Sequence, residues 1–217
     1  MSMSKAIVII GAGKGISLSV AEKFGKEGFS VILIARKKEN LEKLKATLIN
    51  KKIDTHVYIA DAKDADSLKD VFNQIWEKFE HIDVVHYNVA KIKNVNIENE
   101  TADSLTRDFK TNVASVMTIA QLVLPEMEKK GEGVILLTGG GFALQPSAEY
   151  GSLSIGKAGL RNLAQTLHDA LKPKNIFVGT VTVCGHVKPD ATIHTPNNIA
   201  EQFWTLYNEK NTFEIQF

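Results

Sequence analysis

Short apolar runs recur along this chain, each followed by a stretch whose apolar residues return at helical spacing. Residues 6–10, 31–35, 55–60, 83–87, 133–138 and 176–183 read as strands, and 213–217 as a last one. Between them, Ile16, Val20 and Phe24 mark a helix that Gly25 and Gly28 should end, and Leu41, Leu44 and Leu48 mark a second. Leu68, Val71, Phe72, Ile75 and Phe79 mark a third, and long helices are expected from Asn112 to Lys129 and from Ser152 to Leu171, with a further start at Pro196. Strands that show no polar alternation cannot lie on a half-solvated sheet; they need helices on both faces, reached by right-handed crossovers. The expected fold class is therefore α/β: a doubly wound domain, residues 1–217, with a mostly parallel sheet of about seven strands.

The first junction adds chemistry to this frame. The run Ala6–Ile10 breaks directly into Gly11-Ala12-Gly13-Lys14-Gly15-Ile16-Ser17, the form of a strand feeding a glycine loop that opens a helix. Such a loop lets backbone approach an anion closely, and the unpaired N–H groups of the helix aim partial positive charge at it. The ligand expected there is a dinucleotide.

Charge and cysteine content narrow the partner class. The 26 basic and 25 acidic side chains leave a formal charge of +1, so no overall field points to nucleic acid or an anionic membrane. A small molecule is the expected partner. The single cysteine, Cys184, excludes an internal disulfide and a cysteine-built metal cluster and fits a reducing, cytoplasmic setting. No metal site is expected. No apolar run approaches the ~20 residues that span a bilayer, and the first run lacks a signal-peptide cleavage pattern.

The order of elements and several local motifs together resemble the short-chain dehydrogenase/reductase family over nearly the whole chain. The family pattern Thr-Gly-x-x-x-Gly-x-Gly falls on Ile10, Gly11, Gly15 and Ser17, with serine at the third glycine. The resemblance implies a Rossmann domain that places Gly11, Gly13, Lys14, Gly15 and Ile16 against a nicotinamide dinucleotide. It also implies adenine contacts at Asp61 and Ala62, and further cofactor contacts at Asn88 and Ala90, within Tyr87-Asn88-Val89-Ala90. An acidic residue after the second strand would favour NAD, whereas Arg36 stands there, and Lys14 adds a second cation. NADP is the expected cofactor, with NAD the lesser candidate.

Relatives exchange hydride with a carbonyl or alcohol using Asn, Ser, Tyr and Lys. Asn112 and Lys157 match the asparagine and the lysine, the latter also a ribose contact. Leu153 stands at the tyrosine position, four residues before Lys157, and Gly140 at the serine position. Leucine has no proton to give, and a general acid contributes about 10²–10⁴-fold in rate. Tyr150 lies seven residues before Lys157, too far along a helix to substitute, while His186, after Cys184-Gly185, is the best relocated acid. The expectation is an NADP-binding oxidoreductase-like protein with weakened or altered chemistry on a small carbonyl or alcohol, or, alternatively, a non-catalytic nucleotide-binding sensor, regulatory subunit or scaffold. The two long helices form interfaces in relatives, so a homodimer or homotetramer is expected.

Overall fold

The computed structural model describes residues 5–217, and within them seven parallel strands form one sheet in the order β3-β2-β1-β4-β5-β6-β7. The strands are β1 (Ala6–Ile10), β2 (Ser30–Ala35), β3 (Thr55–Ile59), β4 (Val84–Tyr87), β5 (Gly133–Thr138), β6 (Ile176–Thr182) and β7 (Glu214–Gln216). The helices are α1 (Ile16–Lys26), α2 (Lys38–Asn50), α3 (Ala65–Trp76), α4 (Ala102–Phe109), α5 (Ser115–Lys130), α6 (Gly151–Leu171) and α7 (Pro196–Glu209). Every residue of β1, β4, β5 and β6 is buried, which is why these runs are mostly apolar, with His86, Thr138, Thr180 and Thr182 their polar members.

Each face of the sheet has its own core. On one, Leu68, Val71 and Phe72 of α3, Val116, Ile119 and Val123 of α5 and Leu160 and Ala164 of α6 pack on Val8, Val85 and Ile135. On the other, Val20 and Phe24 of α1, Leu41 and Leu44 of α2 and Ile199 and Phe203 of α7 pack on Ile7, Ile9 and Leu136. The strand order reverses direction at β1, whose neighbours are β2 and β4. The carboxyl ends of β1 and β4 therefore border the crevice at which open α/β sheets hold ligands.

Three boundaries differ from the sequence reading. Gly25 lies inside α1, where the absence of a Cβ lets Ile53 close in; Glu27 caps the helix, and Gly28 turns the chain with φ +89°. α3 ends at Trp76, three residues before Phe79. The long helix expected from Asn112 begins ten residues earlier, at Ala102, where the Thr101 hydroxyl accepts from Ser104 N at 3.2 Å. It continues through a π-helical turn, Lys110–Ala114, into α5. Among the described residues no helix is long and apolar enough to cross a membrane.

Candidate functional site

The crevice opens into a cleft of about 1010 Å³ at the carboxyl ends of β1, β4, β5 and β6. Gly13, Gly15, Ile16 and Ser17 line one end, Asn88 and Ala90 the middle, and Gly140, Leu153, Lys157 and His186 the other side. The loop at the first end fits an anion. A Cβ on Gly13 or Gly15 would meet nothing within 4 Å, so the backbone faces open space. α1 begins there with no side-chain cap and no acidic residue in its first turn; Leu18 N and Ser19 N bond to Gly15 O, which leaves the Ile16 and Ser17 N–H groups to a ligand.

Gly11 does different work. It holds φ +84°, and a Cβ there would lie 2.7 Å from Asn88 O and from Val89 Cγ2, so only glycine permits β1 and β4 to close at this point. Ser17, at the third-glycine position, ties the same junction together. Asn88 Nδ2 donates to Ser17 Oγ at 2.6 Å, and that hydroxyl donates to Gly11 O at 2.9 Å. The serine is buried, so its hydroxyl braces the crevice and leaves the anion cradle open.

The remaining predicted cofactor residues are spread along the same sheet edge. Arg36, after β2, and Lys14 are exposed, and neither makes an ion pair among the described residues. Asp61, after β3, accepts from Lys63 N at 3.2 Å, while the neighbouring helix is capped by Asp64, not by Asp61. Ala62 packs its methyl into the core, so only its backbone faces outward. Lys14, Arg36, Asp61, Ala62 and Gly11 do not line the cleft itself.

The two matched catalytic positions come together on facing helices. Asn112 sits in the π turn, where its Oδ1 accepts from Lys91 N at 2.7 Å and its Nδ2 is buried without a partner among the described residues. It packs on Gly156 of α6, whose Cβ would fall 2.7 Å from Asn112 Nδ2. One residue further, Lys157 donates from Nζ to Thr138 O at 2.7 Å, and burial lowers its ammonium to about 8. Thr138 Oγ1 in turn lies 2.9 Å from Nε2 of His86, whose burial pushes it down to about 3 and keeps the ring neutral. Sequence reasoning passed over His86 because a histidine inside an apolar strand carries no motif.

No hydroxyl faces this lysine from the expected places. Leu153 lines the cleft with an isobutyl group, 5% exposed, in the first turn of α6. Gly140 lies along the Lys157 chain, since a Cβ there would stand 3.2 Å from Cε and 3.3 Å from Cδ. Tyr150 is the N-cap residue of α6, outside the helix, and its ring stacks on Phe142 at 5.3 Å. His186 is exposed on the cleft wall beside Cys184.

Known proteins resemble this chain in sequence and in fold. The family model described as short chain dehydrogenase matches residues 5–199. A 17-beta-hydroxysteroid dehydrogenase type 3 of Danio rerio is 32% identical over 93% of the chain and 68% of its own length. Its Homo sapiens counterpart is 31% identical over 83% of the chain and 59% of its own length. The chain thus spans about three fifths to two thirds of these relatives. Among solved structures, an actinorhodin polyketide ketoreductase with NADPH superposes with a TM-score of 0.90 at 19% identity, covering 100% of this chain and 97% of that one.

Proposed function

The chain belongs to the short chain dehydrogenase family of oxidoreductases, and from that premise we propose that it binds NADP(H) and that its hydride exchange with a carbonyl or alcohol is weakened. One observation carries the second half. Beside Lys157 the cleft presents Leu153 and Gly140, neither with a side chain able to donate a proton or a hydrogen bond to a carbonyl oxygen. The bound nicotinamide would supply or accept hydride. Gly13, Gly15 and the α1 amino terminus would hold the dinucleotide's pyrophosphate, and Lys157, with Asn112 behind it, would hold the ribose.

Arg36 and Lys14 support NADP over NAD, because both are exposed cations uncommitted to ion pairs among the described residues. The structural neighbour carrying NADPH agrees with that choice. The exposed Phe109, Met117 and Ile155 on α4, α5 and α6 support a homo-oligomer, and the lone Cys184 a cytoplasmic setting.

The same two residues, Leu153 and Gly140, favour a second reading, a nucleotide-binding sensor or regulatory subunit in which the anion cradle is kept and turnover is lost. Calorimetric titration and an NADPH oxidation assay separate the two. NADPH is expected to bind with a Kd of about 10 μM or below, at least tenfold tighter than NADH, and Arg36→Ala should remove that preference. Measurable but slow reduction of a carbonyl supports the weakened enzyme, and binding without turnover supports the sensor. A kcat of about 1 s⁻¹ or more, the ordinary enzyme range, would refute both. Absence of binding by either nucleotide would leave a scaffold.

A further inference from the structure

The cleft also has an apolar wall that the cofactor reading leaves unused. Ile92, Phe142, Leu144, Tyr150, Leu153 and Val187 form it, and among the described residues no carboxylate or arginine lines any part of the cleft. Ile92, Leu144 and Val187 are 68%, 39% and 38% exposed, so three aliphatic side chains face water at one concave surface. A ligand that covered them would gain the hydrophobic contribution that the fold has left unclaimed.

Two of these residues form a stacked aromatic pair. The Phe142 and Tyr150 rings stack with centroids 5.3 Å apart and planes 22° from parallel. Both are half-buried, so each ring keeps part of its surface open. The backbone on either side is pinned. Tyr150 N donates to Ser147 O at 3.2 Å, its carbonyl accepts from Ser154 N at 2.8 Å, and it pairs in a parallel bridge with Val95. On the other side, Gly141 N donates to Val183 O at 2.8 Å and Ala143 N to Gly140 O at 2.9 Å, closing the turn that presents Phe142. An aromatic surface held this way loses little entropy when a ring extends the stack.

We propose that this wall binds a flat, uncharged aryl or fused-ring ketone, or the corresponding alcohol, stacked on the Phe142–Tyr150 pair with its aliphatic edge against Ile92, Leu144 and Val187. The inference rests on the cofactor reading of the same cleft for the placement of the carbonyl beside the nicotinamide. Charge favours an uncharged ligand. There is no arginine fork for a carboxylate, and Lys157 turns its head onto Thr138 O. With Leu153 in place of a hydroxyl, recognition falls to the ring face.

Calorimetry with 2-acetonaphthone as the probe tests this, with 2-undecanone as an acyclic ketone of similar size and sodium 2-naphthoate as a flat anion. The expected result is 2-acetonaphthone binding at least about fivefold tighter than either comparison compound. Tyr150→Ala should weaken it about tenfold and Tyr150→Phe less than twofold, with unchanged circular dichroism. Val187→Asp, on an exposed loop, should weaken it as well, and serves if Tyr150→Ala does not fold. Equal binding of 2-undecanone, tighter binding of 2-naphthoate, no effect of Tyr150→Ala, or an equal loss in Tyr150→Phe would overturn the proposal. NADPH is titrated separately. Its failure to bind would sink the cofactor reading, whereas Tyr150-dependent binding of 2-acetonaphthone would still support the aromatic wall.

Discussion

Replacing Lys157 by methionine is expected to stabilise the ligand-free protein at pH 7 and to destabilise it above pH 10.5. Burial lowers the Lys157 ammonium from 10.5 to about 8, because the protein around it disfavours the charge. Below pH 8 the folded state carries that charge at full cost. Between about 8 and 10.5 the unfolded chain binds more protons than the folded one, so stability contributed by this site rises with pH. Above 10.5 both states are neutral and the cost is gone. The shift corresponds to about 3 kcal/mol, reduced to about 2 kcal/mol because the side chain keeps partial contact with solvent in the cleft. Methionine, one heavy atom shorter, keeps an unbranched chain without the charge. It also leaves Thr138 O without the 2.7 Å bond from Nζ, at a cost of about 1 kcal/mol. The net gain at pH 7 is then about 1 kcal/mol, a rise in Tm of about 2–4 °C for a chain of this size. At pH above 10.5 the sign reverses to a loss of about 1 kcal/mol. Thermal melts of wild type and Lys157→Met from pH 7 to 11 measure the difference directly, since the titration of other groups is common to both. A difference that stays constant with pH would refute the burial argument, and a methionine variant less stable at pH 7 would refute its magnitude.

Other perturbations follow from the same site. The double variant Leu153→Tyr, Gly140→Ser should raise NADPH-dependent reduction of 2-acetonaphthone by about 10²–10⁴-fold over wild type. A variant that binds NADPH and ketone but gains nothing would mean that the chemistry fails for a reason other than these two positions. Ser17→Ala removes the hydroxyl between Gly11 O and Asn88 Nδ2 and should lower stability by about 1–3 kcal/mol. Ser17→Gly should do the same, and an unchanged Tm in either would show that the bridge contributes nothing.

The sheet and its order of elements were legible because wholly apolar strands leave a parallel, doubly covered sheet as the only arrangement that satisfies them. β1 needed nothing else. Less legible was α4, whose apolar residues are few; its signal is local, a Thr101 cap over Ser104. The π turn at Lys110–Ala114 has no sequence period of its own, so a helix reading starts at Asn112 and misses the turn that presents it. Asn112, Lys157 and the glycine loop were found by motif, and the structure brings Asn112 and Lys157 to one helix contact through Gly156. Phe142 and Tyr150 were not legible as a pair, because irregular chain separates them and only the fold stacks their rings.

The sequence presents Leu153 and Gly140 as two separate departures, thirteen residues apart, and the structure joins them through Lys157. With an isobutyl group at 153, no phenol is available to hold the ammonium, and Nζ finds its partner at Thr138 O. To reach that carbonyl the chain lies over Gly140, within 3.2–3.4 Å of where a Cβ would stand. A serine at 140 would press against this path and shift the flexible lysine chain by a few tenths of an ångström. Glycine at 140 is therefore the residue that suits a lysine turned inward. Restoring tyrosine alone would draw Lys157 away from Thr138 O and relieve that contact, so the two substitutions should be coupled. In a double-mutant cycle, Gly140→Ser is expected to cost more stability in the wild-type background than in the Leu153→Tyr background, by about 0.5 kcal/mol or more for residues in contact. Additive effects would show that Lys157 does not link the two positions.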